Sequence, residues 1–376
     1  MLISDTTVRA RPAVRAELLA LADVDGAALA HWRELVEQAS EPNPFFDPDF
    51  VRPAAVAVGA RVALLVARDD DGWTGCLPVQ RAMRSRSWGY VPLRGLVAWT
   101  HRYGFLGTPL LREGSEARAA QALVHAGRAH GILGFDLLRP EGPVADALRD
   151  AGGSLAVFAE AERAGLHRTA DTQADAGGWS LRMNGKRRRD LLRRRRRLSE
   201  AAGAEVQTVD LAGNPAAVDR FLALEASGWK ARRGTALRSD PAHTAFFQQV
   251  CDAFAARGCL QLLSLRAGDA TYAMLCSLVA SDTLFEFKIA FDERFARCAP
   301  GVQIEVDAVD MMGAAFPQVR VLDTCADPRN AMANALFPDR IPLQTAAVPG
   351  PGLRGRRDTA LVKAALKTRH AIRRSR

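Results

Sequence analysis

The densest chemistry in the sequence lies after residue 220. Gly228-Trp229-Lys230-Ala231-Arg232-Arg233 sets a tryptophan between a glycine and a lysine and follows it with a basic pair. That is not core patterning; it reads as a loop carrying recognition residues. Glu225, just before it, is either a carboxylate base or the ion-pair partner of Lys230 or Arg232, and pairing is the simpler assignment. In Phe285-Glu286-Phe287-Lys288-Ile289-Ala290-Phe291-Asp292-Glu293, alternation predicts a strand with Glu286, Lys288 and Ala290 on one face and the aromatic and aliphatic residues on the other. Glu286 and Lys288 then form either an internal ion pair or a polar site. Ala299-Pro300-Gly301-Val302 opens a helix, with proline in its first turn. Such an end is a plain cap or, with its unpaired N–H groups and positive dipole pole, a phosphate site. Asp323-Thr324-Cys325 ends a strand, where ligands gather in α/β sheets, and Asn330, Asn334, Phe337, Asp339 and Arg340 follow. No histidine stands near Cys325, which reads as a buried structural thiol.

The 376 residues allow two or three domains, and 48% hydrophobic with 25% charged residues are ordinary globular values. The net charge of +9 is uneven. Lys186 to Leu198 holds nine basic residues and one acid, and Leu353 to Arg376 holds the same numbers, so the remainder is mildly acidic. Two concentrated basic segments suggest an anionic partner, although a charge run is ordinarily a solvated face. The first, with good helix formers and only Leu191, Leu192 and Leu198 to face the body, predicts a helix. The second has Leu361, Ala364, Ala365 and Ile372 at roughly helical spacing. It reads as a solubilising tail or a membrane-seeking helix. No apolar run reaches the about 18 residues of a membrane span, and Met1 to Leu21 lacks a signal-peptide core, which predicts a cytoplasmic protein. Six cysteines without CxxC spacing give no disulfide framework or zinc knuckle, and no metal site is expected. Walker, GxSxG, HExxH and Rossmann glycine patterns are absent, leaving ATPase, hydrolase and zinc-enzyme chemistry without support.

The elements that must position these residues read as mixed α/β. Ala27 to Ala39 is a predicted helix, Phe45-Phe46-Asp47-Pro48 a turn, and Arg61 to Arg68 with Trp73 to Gln80 a hairpin. Gly104 to Leu111 reads as a short strand, Glu116 to His130 as a helix and Ile132 to Leu138 as a strand. Ala159 to Gly178 loses periodicity and reads as a connector. The order then repeats: helix Phe246 to Arg257, strands Cys259 to Arg266, Ala270 to Val279 and Thr283 to Phe291, helix Val302 to Met312, strand Arg320 to Asp323. The expected fold class is α/β (α+β), with tandem duplicated units that each hold a mixed twisted sheet flanked by helices. The expected division is 1–165, a connector with the basic helix at 166–200, a second unit at 201–348 carrying the site, and a basic tail at 349–376.

Taken in order, the arginine run from Lys186, Glu225 with Ser227-Gly228-Trp229-Lys230, Gly234-Thr235-Ala236-Leu237, Lys288-Ile289-Ala290-Phe291-Asp292-Glu293, Pro300-Gly301 and Asp323-Thr324-Cys325 resemble the BioF2-like, CelD/BcsL-type branch of the GNAT acyltransferases. That branch is associated with cellulose and exopolysaccharide biosynthesis. The resemblance spans Asn43 to Arg340 and departs from the pattern at Phe291, Ala299 and Phe337, where Tyr, Ser and Trp are common. It implies two tandem GNAT-like units, distantly like the FemABX aminoacyltransferases, an acyl-coenzyme A donor and an amine acceptor. Transfer would be direct, the amine losing its proton to a carboxylate or water while backbone N–H groups polarise the thioester carbonyl.

On that reading Glu225, Lys288, Asp292 and Asp323 are the candidate catalytic residues. Lys288 would orient donor or acceptor, and Asp292 would steer the amine or accept its proton. Trp229, Lys230, Arg232, Glu286 and Arg340 are candidate substrate contacts; Arg188, Arg189, Pro300, Gly301 and Val302 are candidate acyl-coenzyme A contacts. The first unit is expected to be chiefly scaffold, with Asn43 to Asp47 and His101 to Tyr103 its only polar-aromatic candidates. The expected function is N-acylation of an envelope polysaccharide or amino-lipid precursor, with the basic tail on the inner membrane face. The alternatives are an aminoacyl-tRNA-dependent transferase, whose Lys186–Arg197 helix would grip tRNA, and a non-catalytic, nucleotide-binding regulator of polysaccharide synthesis.

Overall fold

The computed structural model describes residues 13–82, 88, 91, 93–169 and 178–374, and the side chains of Trp229 and of 367–374 lie outside that description. Thirteen strands among the described residues form one mixed sheet. The first half runs β1 (Arg15–Ala20), α1 (Gly26–Glu37), α2 (Pro48–Ala57), β2 (Ala63–Asp69), β3 (Gly72–Arg81), β4 (Gly95–Ala98), β5 (Leu110–Leu111), α3 (Glu116–Ala129), β6 (Ile132–Leu138), α4 (Pro143–Gly152) and β7 (Ala156–His167). The second half runs α5 (Gly185–Ala202), β8 (Gln207–Asp210), α6 (Pro215–Ser227), α7 (Pro241–Ala256), β9 (Leu260–Ala267), β10 (Ala270–Ala280), β11 (Thr283–Phe291), α8 (Pro300–Ala315), β12 (Val321–Asp323), α9 (Ala331–Leu336), β13 (Asp339–Val348) and α10 (Gly352–Arg374).

The duplication is visible in the pairing. β1, β2, β3 and β4 are joined antiparallel, and β4 then runs parallel to β6. β8, β9, β10 and β11 repeat that order, and β11 runs parallel to β12. Each parallel pair is bridged by a helix, α3 in the first unit and α8 in the second. The units then exchange their last strands: β7 pairs with β12, β13 pairs with β6, and β7 and β13 pair with each other. The exchange makes one sheet of two and overturns part of the expected connector, because Ala159 to His167 is strand. Its run of Ala, Glu and Arg lacks alternation since half of the strand is exposed; its partner, Asp339–Val348, lies far along the chain. The strand expected at Gly104 to Leu111 shrinks to Leu110–Leu111.

Several helices start on one local device, an Asx side chain followed by proline. Asp47-Pro48, Asn214-Pro215 and Asp240-Pro241 each use the Asx oxygen to accept a backbone N–H while proline occupies the first turn. Phe45 and Phe46 form a 3-10 turn ahead of α2 rather than a simple turn. This segment joins the units: the Phe45 ring lies 5.7 Å from that of Phe285, and Asp47 pairs with Arg257 at 2.8 Å.

The tail is a helix that docks by a face other than the expected one. Val362 and Leu366 are buried with Trp88, Leu93, Val97, Ile132 and Ala347, whereas Leu361 is 48% exposed. Arg354, Arg356, Arg357 and Lys363 are exposed as well. Among the described residues no helix is long and apolar enough to cross a membrane.

Candidate active site

β11 is paired with β10 along its length, but with β12 only over Thr283–Phe285. From Glu286 onward its other edge has no strand partner among the described residues, and a cleft opens there. The β10–β11 register also slips. Cys276 faces Lys288 and Ser277 faces Glu286, so Phe287 is an extra residue, a β-bulge. The bulge overturns the expected common face for Glu286, Lys288 and Ala290. Glu286 turns toward α8 and meets Glu305. Phe287 and Lys288 both turn the other way, Phe287 onto Phe50, Phe246 and Phe247, and Lys288 onto Tyr103. No Glu286–Lys288 ion pair exists among the described residues.

The outer cleft, about 460 Å³, has the first turn of α8 at its mouth: Ala299, Pro300, Gly301 and Val302. Ala299 holds a left-handed φ of +53°, which turns the chain sharply into that helix. Ile289, Ala290 and Phe291 of β11 line it as well, together with Leu224, Glu225, Gly228, Lys230, Asn330 and Met332. An inner chamber of about 200 Å³ shares Lys230, Ile289, Asn330 and Met332 and adds Glu286, Lys288, Glu305 and Cys325.

The expected residues meet unequally. Pro300, Gly301, Val302, Lys230, Glu225, Glu286 and Lys288 share the cleft. Glu225 is buried and accepts from Lys230 Nζ at 2.7 Å and from the Leu237 amide at 2.8 Å, so its partner is Lys230. Arg232 pairs instead with Glu293 at 2.7 Å on the cleft rim. Asp292 caps the turn after β11 and pairs with Arg294 at 2.6 Å, which holds its carboxyl below the usual range. Asp323 is fully buried and gripped by Arg163 from β7 through two contacts of 2.6 Å. Arg340 donates to the Phe337 and Asp339 carbonyls at 3.0 and 2.7 Å. Asp292, Asp323 and Arg340 thus hold backbone in place, and none lines either chamber. Arg188 and Arg189 are exposed on α5, outside the cleft lining. That helix is tied down by other arginines, Arg194 to the Arg297 carbonyl at 3.0 Å and Arg195 to Asp307 at 2.8 Å. The Trp229 side chain lies outside the described residues.

One group escaped the sequence reading, and a second, within the His101 to Tyr103 candidate, was left to a unit expected to be chiefly scaffold. Glu305, on α8, faces Glu286. Burial and then the charge of Glu305 raise the Glu286 pKa well above the carboxylate range, and burial raises Glu305 to about 6. Two carboxyls this close in a dry site hold one proton between them near neutral pH. Gln303-Ile304-Glu305 gave a weak signal, polar residues on what is otherwise a buried helix face. The second group is Tyr103. The Lys288 ammonium lies 4.7 Å from its ring centroid, and Phe246 stacks on it at 4.8 Å. The first unit thus contributes Tyr103 to the surroundings of Lys288.

Residues 185–327 match the family model described as an acetyltransferase (GNAT) domain. That span runs from the start of α5 to just past the end of β12 and contains most of the cleft lining; Asn330, Met332 and Ala333 lie beyond it. No curated protein matches the sequence. Among solved structures, the chain is similar to the C-terminal domain of a putative lysylphosphatidylglycerol synthetase from Agrobacterium fabrum, with a TM-score of 0.52 and 15% identity over 90% of this chain and 96% of that one. A conserved protein of unknown function from Bacteroides thetaiotaomicron gives a TM-score of 0.52 and 11% identity, covering 85% of this chain and 97% of that one. FemX gives 0.52 and 9%, covering 85% and 95%. These likenesses establish a shared fold. The family match covers the second unit alone. That match supports an N-acyltransferase, since GNAT domains use acyl-coenzyme A and an amine acceptor.

Proposed function

We propose that the chain transfers an acyl group from acyl-coenzyme A to an amine on an envelope polysaccharide or amino-lipid precursor. The observation that carries this reading is the cleft at the unpaired edge of β11, with the α8 N-terminus at its mouth and a carboxyl pair at its end. The first turn of α8 offers N–H groups and the positive dipole pole to donor phosphates. Leu224, Ile289, Val302 and Met332 make an apolar channel for the acyl-bearing arm. The bulge at Phe287 takes the backbone out of ladder register at the inner chamber, where a backbone N–H of β11 would polarise the thioester carbonyl. The acceptor amine attacks that carbon, the C–N bond forms, the C–S bond breaks, and the amine proton passes to the Glu286–Glu305 pair.

Mixing protein, acyl-coenzyme A and a panel of amines and following free thiol tests the reading. Amine-dependent thiol release is expected; neither release nor acyl-coenzyme A binding would refute it. A substitution at the mouth sharpens the test. A Cβ at Gly301 would sit 3.5 Å from Phe291 and 3.9 Å from Ile289, so it fits, while a longer side chain extends into the cleft. Gly301→Leu should leave the unfolding midpoint unchanged or higher, since leucine is the better helix former. It should weaken acyl-coenzyme A binding at least about tenfold, roughly the 1.4 kcal/mol lost with one good contact. Unimpaired binding would remove the α8 terminus from the donor site.

The membrane part of the proposal rests on α10. Arg354, Arg356, Arg357 and Lys363 are exposed together with Leu353, at 83%, and Leu361. Each cation is worth about 1 kcal/mol at an anionic leaflet, so replacing all four by serine should weaken sedimentation with anionic vesicles by roughly a thousandfold at low salt. Val362 and Leu366 stay in place in that variant, so the fold is undisturbed. Wild-type protein that ignores such vesicles ends the membrane proposal. A second reading, transfer from aminoacyl-tRNA, draws on the exposed Lys186, Arg189, Arg196 and Arg197 of α5. It requires RNase-sensitive activity and binding that falls steeply with salt.

A further inference from the structure

We infer that the amine acceptor carries an oxyanion, a carboxylate or phosphate, close to its amine, and that Lys288 receives it in the inner chamber. The inference rests on the acyl-transfer reading and adds the acceptor's charge to it.

Lys288 is half-buried and lines the chamber, yet no carboxylate pairs with it among the described residues. Its ammonium lies against two ring faces, 4.7 Å from the Tyr103 centroid and 5.5 Å from that of Phe287. The charged groups around it are mostly of its own sign. Lys230 and Arg102 repel it, and Glu225 is the carboxylate that attracts it. Glu225 is already occupied by Lys230 at 2.7 Å and the Leu237 amide at 2.8 Å. Arg102 reaches the Thr235 carbonyl at 3.3 Å and no carboxylate among the described residues. The bulge has turned Glu286 away toward Glu305, so the one carboxylate that alternation would have set beside Lys288 is absent. His101, next to it, is kept neutral by burial and by Lys288 itself, its pKa lowered to about 3. Lys288, Lys230 and Arg102, set against the engaged Glu225 and the single negative charge of the Glu286–Glu305 pair, still leave a small excess of positive charge around Lys288.

Such an excess is costly to hold. Burial, more than the neighbouring cations, lowers the Lys288 pKa to about 8. A methionine would fill the same space against Tyr103 and Phe287 without that cost, so packing does not call for a lysine. An oxyanion on the ligand would complete the site, satisfying Lys288 and neutralising the excess. The phenol oxygen of Tyr103, buried and without a partner among the described residues, is a further polar group beside it.

The test compares matched amines under acyl-coenzyme A: β-alanine with β-alaninamide, and O-phosphoethanolamine with ethanolamine. The anionic member of at least one pair should have the higher kcat/KM by about 10–100-fold, the worth of one hydrogen bond to a charged group. Whichever pair shows the larger ratio assigns carboxylate or phosphate. Lys288→Met should collapse that ratio toward one, mainly through KM, and Lys288→Arg should restore part of it. A wild-type ratio near one overturns the inference. So does a Lys288→Met variant that loses both members equally, which would make Lys288 a proton-transfer group. Binding supplies a readout without turnover: N-acetyl-β-alanine should bind more tightly than N-acetyl-β-alaninamide, and Lys288→Met should abolish the difference. Should that binding preference hold while no amine releases thiol, the acyl-transfer reading falls and the anion site stands.

Discussion

Replacing Arg163 by methionine is expected to lower the unfolding free energy by about 3–5 kcal/mol, the usual cost of stranding one member of a buried ion pair. Arg163 is 3% exposed and Asp323 fully buried. The guanidinium meets both carboxylate oxygens at 2.6 Å and also donates to the Phe105 carbonyl. The pair joins β7 to β12, at the seam where the first unit's last strand enters the second unit's sheet. Arg139 stands 4.0 Å from Asp323 and does not replace the planar two-point contact. Arg163→Lys should therefore also be damaging, because an ammonium cannot reproduce the fork. Arg163→Met combined with Asp323→Leu should recover much of the loss, since no charge is then left unpaired. Denaturant midpoints of the three variants check this. The same series separates structure from chemistry at Asp323. If Asp323 only holds the seam, Asp323→Asn loses activity in proportion to folded protein; a loss beyond about 10²-fold per folded molecule would make it a chemical participant.

The second large effect is catalytic. Glu305→Gln and Glu286→Gln are each expected to reduce kcat by about 10²–10⁴-fold, the range for a lost general base. Because burial sets Glu305 at about 6, wild-type activity should fall as pH drops through about 6, where the pair takes up its second proton. Glutamine variants should lose that acid limb along with their activity. Stability moves the other way. A carboxyl whose folded pKa is raised binds its proton more tightly in the native state than in the unfolded chain. Its contribution is present below the unfolded pKa and is lost as pH rises through the folded one. The wild type is thus penalised at alkaline pH for ionising Glu305 in its buried site, and Glu305→Gln, which cannot ionise there, is not. Its unfolding midpoint should exceed the wild-type value at pH 8 and approach it at pH 5. Unchanged kcat in both variants would take the proton-accepting role from the pair; a lower midpoint at pH 8 would contradict the shared proton.

The Asp292 variant bears on the same question with a smaller effect. Its carboxyl, bound by Arg294 and the Arg294 amide, is held ionised and occupied. Asp292→Ala should cost about 1 kcal/mol of stability as a lost cap, with kcat reduced less than tenfold. A loss like that of the Glu305 variant would return Asp292 to the proton pathway.

What the sequence determined by itself was what short stretches of chain decide alone. Alternation marked β2, β3, β10 and β11, and the tight turns marked their hairpins. Proline after alanine marked the start of α8, and the arginine run, rich in good helix formers, marked α5. The repeated order of elements was enough to indicate two units, and Lys230, Glu225, Lys288 and Pro300-Gly301, singled out from the sequence, line the two adjoining chambers. The rest depended on which strand lies beside which. β7 had no periodicity because its exchange into the other unit's sheet sets its burial, and its partners, Val321–Asp323 and Asp339–Val348, lie far along the chain. The bulge at Phe287 is a property of the β10–β11 register; it reverses the faces of everything after it, so Lys288 met Tyr103 instead of Glu286. Glu305 became chemically unusual only when α8 was laid over β11 and a second carboxyl was buried against it. Asp323 looked catalytic at a strand end until Arg163, 160 residues earlier, closed on it. Local propensity is additive along the chain and legible there, whereas register, burial and the pKa of a carboxyl arise from contacts between segments the chain brings together only on folding.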